Sequence, residues 1–452
     1  MHARRYFGTD GIRDLANTGN LSPDMVLRIG HAIGKVTYEN HKGEGRPIIL
    51  VVRDTRVSGP MIQGILSGAI MAHGVDVFDG GILPTPAAAR LVRRRNFDLG
   101  IVVSASHNAM PDNGVKIFGP DGRKLSDDTE IQIEKFIDLA GSRDVNITGA
   151  DVGHYVAFNE GLEIYRHEMV NELFTDLDLS GKKIVLDCAF GSGSVVSASI
   201  LEGLGAEVIA LNDKPTGLNI NDQAGVAFVD RLGERVRKEG AIFGMALDGD
   251  ADRVLMVDEL GEVQDGDRIL AILAQRLAPD SRQLVATVMS NMGLKVLLKS
   301  LDIKMHQTPV GDRYVAEKME SSGAHVGGEQ SGHIIFHNEN GWFGDGVYTA
   351  LQVASVSARE NKPLSELAGA MERFPQILQN VLVTEKPPIT ELTSVEEAIR
   401  RAQIQLGDEG RILVRYSGTE MLARVMVEGR DQATIGEIAN DIAQVLKKEI
   451  GA

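Results

Sequence analysis

Leu99-Gly-Ile-Val-Val103-Ser104-Ala-Ser106-His107-Asn108 is the stretch that indicates both the fold and the candidate site. Its first half is a short apolar run, which predicts a buried β-strand. Its second half is small and polar, which predicts a tight loop at the strand's end. Ligands bind at that end of the strands in an open parallel α/β sheet. Ser106 is therefore a candidate nucleophile, although a surface loop rich in turn-forming residues explains the pattern equally well.

The order of elements around this strand recurs three times along the chain. Apolar runs at 48–52, 75–78, 99–103 and 115–118 are followed by the same series from Ile184 and again from about Leu284. Strands that alternate with helices predict parallel or mostly parallel sheets, one per unit. The loops after the three third strands are then topologically equivalent, and all three could face one cleft.

We therefore predict an α/β protein with three similar α/β domains, each with a mixed, mostly parallel sheet, around a central cleft. A smaller C-terminal α+β domain follows a linker near residue 373, where Arg373-Phe-Pro375 breaks the pattern. The predicted domains are 1–155, which carries the serine, 156–257, which carries an acidic loop, 258–372 and 373–452.

Composition limits the classes of function. The 452 residues include 47 Lys and Arg against 63 Asp and Glu, a net charge of −16, which argues against a general nucleic-acid binder. The single cysteine, Cys188, excludes an intrachain disulfide and fits a reducing compartment. No apolar run is long enough to span a bilayer, and the N-terminus lacks a signal-peptide core. The sequence predicts a cytoplasmic protein without a membrane or nucleic-acid partner.

Asp248-Gly-Asp250-Ala-Asp252-Arg253 is the most informative loop. Three carboxylates at alternate positions offer hard oxygen ligands to a small divalent cation, and Mg²⁺ is the preferred candidate. A calcium EF-hand is disfavoured because Arg253 stands where that loop needs glycine and because strands flank it. A solvated acidic turn is the remaining structural alternative.

Two further loops carry candidate binding residues. Arg415-Tyr-Ser417-Gly418-Thr419-Glu420, with Arg424, resembles a phosphate cup in which backbone NH groups, hydroxyls and guanidinium groups converge. Glu329, Ser331 and His333 present alternating polar groups suited to sugar hydroxyls. A glycine-rich hairpin with a satisfied histidine explains the second loop about as well.

Taken together, these loops resemble the α-D-phosphohexomutase superfamily and, within it, the glucosamine branch. Four motifs match in order, together with the opening Phe7-Gly-Thr-Asp-Gly-Ile-Arg13, and they span nearly the whole chain. The motifs are the serine loop through Lys116, the loop 248–253, Gly328-Glu-Gln330-Ser-Gly-His333, and the loop from Arg415 to Arg424. Gln330 and Ser-Gly-Thr-Glu favour the glucosamine branch.

The resemblance implies a phosphoserine enzyme. Phosphorylated Ser106 would convert glucosamine 6-phosphate through a 1,6-bisphosphate into glucosamine 1-phosphate, which feeds UDP-N-acetylglucosamine and cell-wall synthesis. Mg²⁺ would bind Asp248, Asp250, Asp252 and the phosphoserine oxygen of Ser106. Lys116 and Arg253 would act at the transferring group. Substrate-binding roles fall to Arg13, Glu329, Ser331, His333, Arg415, Ser417, Gly418, Thr419 and Arg424. The family also suggests a homodimer.

Three positions depart from the family pattern, because Ala109 and Met421 replace prolines and Asp14 replaces a glycine. None is implied as a ligand, so we expect an effect on loop rigidity rather than on chemistry. Three alternative functions remain: a mutase for glucose or mannose phosphates, a Mg²⁺-dependent phosphatase with Asp248 as nucleophile, and a non-catalytic sugar-phosphate sensor.

Overall fold

The computed structural model describes residues 5–8, 10–139, 147–278, 281–338, 341–417 and 421–452. The chain divides into two compact units. The first unit contains Met1–Val288 and His306–Ala368, and the second contains Met289–Met305 and Gly369–Ala452. Among the described residues, none of the helices combines the length and the apolar character needed to cross a membrane.

The first α/β sheet carries the serine. Its strands are Ile12–Leu15 (β1), Ile48–Arg53 (β2), Asp76–Ile82 (β3), Leu99–Val103 (β4), Asp112–Phe118 (β5) and Tyr155–Ala157 (β6). Its helices are Pro23–Asn40 (α1), Gly59–Met71 (α2), Thr85–Arg94 (α3) and Asp127–Leu139 (α4). The strand order is β1-β5-β4-β2-β3-β6, with β2 parallel to β3 and β4, and β5 antiparallel to β4 and β1.

Ser22-Pro23 and the apolar residues that follow at helical spacing predict an amphipathic helix with Ser22 as its N-cap, and α1 is that helix. It begins at Pro23 and buries Val26, Ile29, Ile33 and Val36 at helical spacing, in one hydrophobic core with β2 and β4. The Ser22 hydroxyl donates to the Gly19 carbonyl instead of capping the helix. The helix start is therefore fixed by proline at its first position and by the buried face.

The second α/β sheet carries the acidic loop. Its strands are Lys183–Asp187 (β7), Glu207–Leu211 (β8), Phe243–Leu247 (β9), Val254–Asp258 (β10) and Val263–Gln264 (β11). Its helices are Gly161–His167 (α5), Ser197–Gly203 (α6) and Leu232–Glu239 (α7). The strand order is β11-β10-β9-β7-β8, with β7 parallel to β8 and β9.

The third α/β sheet follows the same plan. Its strands are Gln283–Thr287 (β12), Lys304–Thr308 (β13), Val326–Gly328 (β14), Ile334–Asn338 (β15) and Gly341–Gly344 (β16). The helices of this part of the chain are Gly266–Ala274 (α8), Met292–Ser300 (α9), Asp312–Ser322 (α10), Gly346–Glu360 (α11) and Leu364–Ala368 (α12). The strand order is β13-β12-β14-β15-β16.

The three sheets share one internal order, which confirms the predicted repeat. In each, the first strand lies between the second and third, and the fourth pairs antiparallel with the third: β3-β2-β4-β5, β8-β7-β9-β10 and β13-β12-β14-β15. The chain must therefore reverse direction directly after each third strand. This reversal places the loops after β4, β9 and β14 at equivalent positions.

The second unit contains a small α+β domain. Its strands are Gln376–Leu382 (β17), Gly410–Tyr416 (β18) and Leu422–Gly429 (β19), and its helices are Thr393–Leu406 (α13) and Gln432–Ile450 (α14). The sheet is antiparallel in the order β17-β19-β18. Both helices contact the sheet and share its core, in which Val395, Val425 and Ile442 are fully buried.

The segment Met289–Met305, which includes α9, is tied into the second unit. The Asn291 side chain donates to the Phe374 carbonyl at 3.0 Å and accepts from the Phe374 backbone NH at 3.0 Å. The Met292 NH donates to the buried Glu428 carboxylate at 2.8 Å. Backbone groups on both sides are thus paired by buried side chains.

Candidate active site

The serine loop, residues 104–112, follows the fully buried strand β4. Ser106 has no exposed surface, and its φ of +53° lies in the left-handed region. Its Oγ donates to Oδ2 of Asp248 at 2.5 Å and lies 3.4 Å from Nδ1 of His107. A left-handed residue other than glycine costs roughly 1–2 kcal/mol, so surrounding contacts must hold it. The structure therefore presents the Ser106 hydroxyl to the acidic loop.

The acidic loop, residues 248–253, follows β9 and meets the serine loop closely. Asp248, Asp250 and Asp252 are all buried, and one ligand oxygen from each lies within 4.8 Å of the others. Gly249 makes this approach feasible, because a Cβ there would stand 2.5 Å from the Ser106 carbonyl oxygen. The three predicted carboxylates converge beside the predicted nucleophile.

The donor set fits a divalent cation. Burial, Asp252 and Asp250 together raise the pKa of Asp248 well above its ordinary value. Oδ1 of Asp250 is buried and accepts no hydrogen bond from any residue that the structure describes. Hard carboxylate oxygens with this much mutual repulsion suit Mg²⁺, which prefers oxygen ligands.

Lys116 lies on β5 among carboxylates. Its Nζ is 2.7 Å from Oδ2 of Asp250, 3.1 Å from Oδ2 of Asp252 and 3.1 Å from Oδ2 of Asp10. Burial opposes its charge, but these three carboxylates outweigh burial and raise the pKa of Lys116 well above its ordinary value. The predicted catalytic lysine is therefore a buried cation within the acidic cluster.

Arg253 and Arg13 approach the serine loop from two directions. Nη1 of Arg253 lies 3.2 Å from Nδ1 of His107, and its backbone NH donates to Oδ1 of Asp248 at 3.1 Å. Nη1 of Arg13 donates to Oδ1 of Asn108 at 3.3 Å. Burial and both arginines lower the pKa of His107 to about 4, so its imidazole is neutral at pH 7.

Glu329, Ser331 and His333 lie in the turn between β14 and β15. Oε1 of Glu329 accepts from the Gly311 backbone NH at 2.9 Å, and the Ser331 hydroxyl donates to Oε2 of Glu329 at 3.5 Å. Nδ1 of His333 lies 3.5 Å from Oδ1 of Asp252. Burial opposes the charged imidazole, but Asp252 outweighs it and raises the pKa of His333 to about 9. All three equivalent loops thus meet at the acidic cluster.

The remaining predicted residues belong to the second unit. Arg415 on β18 and Arg424 on β19 are directly opposite each other in the antiparallel ladder. Ser417 follows β18, its NH donates to the Leu422 carbonyl at 2.9 Å, and its carbonyl accepts from Nζ of Lys386 at 2.7 Å. Gly418 and Thr419 lie outside the described residues. Two guanidinium groups therefore lie on β18 and β19, and the Lys386 ammonium group binds the end of β18 at Ser417.

Sequence reasoning missed four residues of the first-unit site. Asp10 and Asp312 each bind Nζ of Lys124 at 2.5 Å, and Asp10 also pairs with Lys116 and with Arg13. The Thr85 hydroxyl donates to Oδ2 of Asp250 at 2.5 Å. Asp10 and Thr85 lie in motifs visible in the sequence, Gly8-Thr-Asp-Gly11 and Pro84-Thr85-Pro86, whereas nothing local marks Lys124 or Asp312.

Four family models together match nearly the whole chain. They describe the phosphoglucomutase/phosphomannomutase α/β/α domain I at residues 4–143, domain II at 163–261, domain III at 265–374 and the C-terminal domain at 378–445. Their order matches the order of the four sheets.

Full-length relatives and solved structures agree with these matches. The chain is 45% identical over 450 residues to a phosphoglucosamine mutase of Symbiobacterium thermophilum and 44% identical over 452 residues to one of Geotalea uraniireducens, covering 99% of both chains in each case. A family protein of Burkholderia thailandensis superposes with a TM-score of 0.80 at 24% identity, covering 99% of this chain and 98% of that one. An Aspergillus fumigatus N-acetylphosphoglucosamine mutase, solved with GlcNAc-6P and magnesium, gives a TM-score of 0.65 at 18% identity, covering 100% and 96%. These structures share the fold.

Proposed function

The chain belongs to the phosphoglucomutase/phosphomannomutase family, and we propose that it interconverts glucosamine 6-phosphate and glucosamine 1-phosphate. One observation carries the chemistry: the Ser106 hydroxyl lies 2.5 Å from an oxygen of the Asp248-Asp250-Asp252 cluster. The amino-sugar substrate rests on the full-length relatives named phosphoglucosamine mutase.

The reaction is a double phosphoryl transfer. The 1-hydroxyl of glucosamine 6-phosphate attacks the phosphorus on Ser106 and forms a P–O bond, while the bond between phosphorus and Oγ of Ser106 breaks and the hydroxyl proton ends on Oγ. The resulting 1,6-bisphosphate then reverses its orientation in the site. Oγ of Ser106 attacks the 6-phosphoryl group, the P–O6 bond breaks and the Oγ proton ends on O6, which releases glucosamine 1-phosphate and restores the phosphoserine.

The first-unit residues suit the transferring group. When bound at Asp248, Asp250 and Asp252 together with a phosphoserine oxygen, Mg²⁺ would offset the charge of that group. Lys116, held by buried carboxylates, supplies a second positive charge, and Arg253 supplies a third from beside His107. These cations favour a transition state in which negative charge spreads over the phosphoryl oxygens.

The other predicted residues suit the parts of the substrate that do not react. Glu329 and Ser331 offer acceptors and donors to sugar hydroxyls, and His333 and Arg13 add cationic donors. Arg415, Ser417 and Arg424 suit the distal phosphate, and we assign Gly418 and Thr419 to the same role. One such cup can hold either phosphate as the bisphosphate turns.

Turnover on three substrates tests the specificity. With Mg²⁺ and a trace of the matching 1,6-bisphosphate, we expect glucosamine 6-phosphate to give the highest kcat/KM among the glucosamine, glucose and mannose 6-phosphates. A higher kcat/KM for either neutral sugar would reassign the substrate. Binding of all three without turnover would instead support a sensor.

Two substitutions test the nucleophile. Ser106→Ala should lower mutase turnover by at least about a thousandfold and remove the phosphopeptide at position 106, because no other group carries the phosphoryl. A phosphatase that uses Asp248 predicts the opposite pattern, with activity retained by Ser106→Ala and lost in Asp248→Asn. Substantial mutase turnover by Ser106→Ala would refute the phosphoserine mechanism.

We extend the proposal to the setting of the enzyme. The single cysteine and the acidic net charge fit a cytoplasmic enzyme, and the reaction would supply UDP-N-acetylglucosamine and cell-wall synthesis. The family resemblance favours a homodimer. Light scattering of the purified chain should give twice the monomer mass, and a monomer mass at working concentration would contradict this.

A further inference from the structure

Arg56 lies in the loop after β2 and is 1% exposed. Its guanidinium group donates to four backbone carbonyls of the serine loop. Nη1 reaches Ala109 at 2.5 Å and Asp112 at 3.0 Å, while Nη2 reaches Ser106 at 3.0 Å and Asn108 at 2.8 Å. Its Nε donates to Oδ2 of Asp54 at 2.9 Å. Arg56 therefore binds the serine loop through every terminal N–H it has.

Asp54 connects Arg56 to the backbone NH of Ser106 through the Ser104 hydroxyl. Its Oδ2 also accepts from the Ser104 hydroxyl at 2.7 Å, and the Ser104 Oγ accepts from the Ser106 backbone NH at 3.0 Å. Both backbone polar groups of Ser106 are thus tied to the same buried ion pair. Since those two groups flank the φ and ψ angles of the residue, the network opposes rotation out of the left-handed region.

Asn221 supports the same two carbonyls from the second α/β domain. Its Nδ2 donates to the Ser106 carbonyl at 2.8 Å and to the Asn108 carbonyl at 2.9 Å. Its own φ is +59°, a conformation that asparagine tolerates better than most residues. Arg56 and Asn221, which belong to two different domains, therefore donate to the same two carbonyls.

We propose that Arg56 and Asn221 are positioning residues that hold Ser106 in its left-handed conformation, so that Oγ points at the Asp248 cluster. They act through the main chain of Ser106 and touch neither the sugar nor the phosphoryl group. The inference rests on the proposed role of Ser106 as phosphoryl carrier. Without these hydrogen bonds, Ser106 relaxes toward negative φ, and the phosphoryl group leaves its position in line with the attacking hydroxyl.

Asn221→Gly is the decisive variant. Glycine accepts a φ of +59° without strain, so the substitution removes both donors while preserving the backbone. We expect kcat to fall by about a hundredfold with KM for the sugar phosphate within twofold, because a misplacement of about 1 Å costs this much in rate. The phosphoserine should also be lost to water faster, which intact-protein mass spectrometry measures.

Asn361→Gly is the matched control. Asn361 is exposed, has a φ of +52° and follows the end of α11, where its backbone NH donates to the Ala358 carbonyl, so it undergoes the same change outside the serine loop. It should leave kcat unchanged. Arg56→Lys is the second variant: it keeps the buried charge but cannot bridge four carbonyls, and a greater loss of kcat than in Asn221→Gly is expected.

The outcomes separate the two proposals. If the kcat of Asn221→Gly is within twofold of that of the parent protein, the positioning role is wrong. The same holds if its melting temperature falls while its kcat does not. If KM rises and kcat does not fall, Asn221 contacts substrate instead. If Ser106→Ala itself retains turnover, the phosphoserine mechanism fails whatever Asn221 does.

Discussion

The acidic cluster of the first unit and the arginine pair of the second unit, Arg415 and Arg424, differ in exposure and in charge. In the first unit, Lys116 is buried among Asp10, Asp250 and Asp252, so the chain itself supplies the partners of its cation. In the second unit, Arg415 and Arg424 stand directly opposite each other on neighbouring strands, and Arg415 is exposed. Like charges at directly opposed positions destabilise an antiparallel pair.

Under the proposed function, this difference separates a reacting centre from a binding surface. Groups that must keep one geometry through two transfers are buried and held by partners in the chain. Groups proposed to accept and release either phosphate must remain accessible, as the exposed Arg415 does. The comparison therefore predicts losses in kcat from the first unit and losses in KM from the second.

Removal of the divalent cation should have the largest effect. Chelation with EDTA, followed by gel filtration, should lower turnover by about a thousandfold, because three buried carboxylates and a phosphoryl group then lose their divalent counter-charge. Added Mg²⁺ should restore activity and raise the melting temperature. Full turnover in the chelated protein would contradict the assignment of Asp248, Asp250 and Asp252 as ligands.

Gly249→Ala should have the next largest effect. The new Cβ would stand 2.5 Å from the Ser106 carbonyl oxygen, so the acidic and serine loops must separate. We expect kcat to fall by about a hundredfold and the free energy of unfolding to fall by about 1–3 kcal/mol. Steady-state kinetics and urea unfolding measure both.

Arg415→Gln should act on binding. A charge-assisted hydrogen bond contributes about 1.5–3 kcal/mol, so kcat/KM should fall by about 10–100-fold. The loss should appear in KM, because the phosphate that does not react is held equally before and during transfer. Arg401→Gln, on an exposed position of α13, is the control and should change neither constant. A fall in kcat without a rise in KM for Arg415→Gln would contradict the prediction that the second unit acts on binding.

Gly64→Ala should have the smallest effect and the opposite sign. Gly64 is exposed within α2, and a Cβ there meets no atom within 4 Å. Alanine should raise the free energy of unfolding by about 0.5–1 kcal/mol through the lower entropy of the unfolded chain. Activity should not change. Destabilisation by this variant would mean that glycine sensitivity is general and that Gly249→Ala reports nothing specific to the two loops.

The fold could be predicted because its signals are local and repeated. β4 coincides with the predicted apolar run 99–103, and β9 is likewise an apolar run that ends at polar residues. β14 is only Val326-Gly-Gly328 and has no comparable apolar run. The antiparallel return after each third strand was less visible, because strand direction depends on pairing and not on composition. The helix start at Pro23 was predicted correctly, but the Ser22 hydroxyl makes a different hydrogen bond.

The candidate site was predicted only as far as its motifs extend. Ser106 and Asp248, the proposed phosphoryl carrier and metal ligand, stand out in the sequences of their loops. Arg56 and Asn221 do not stand out, since their partners are backbone carbonyls 50 to 115 residues away. In the sequence, Lys124 is an ordinary charged residue, and only the structure shows that it pairs with Asp10 and Asp312. Such roles arise from tertiary contacts, which a single sequence does not contain.

The segment Met289–Met305 has a consequence for how the polypeptide matures. It is synthesised well before Gly369–Ala452, yet it belongs to the same compact unit, where Asn291 pairs with Phe374 and Met292 with Glu428. During translation this segment cannot complete its packing until residues of Gly369–Ala452 have been synthesised. A fragment that begins at Gly369 would leave the Glu428 carboxylate buried without its backbone donor. The second unit therefore cannot be separated at Gly369, and its two segments fold together only after both have been synthesised.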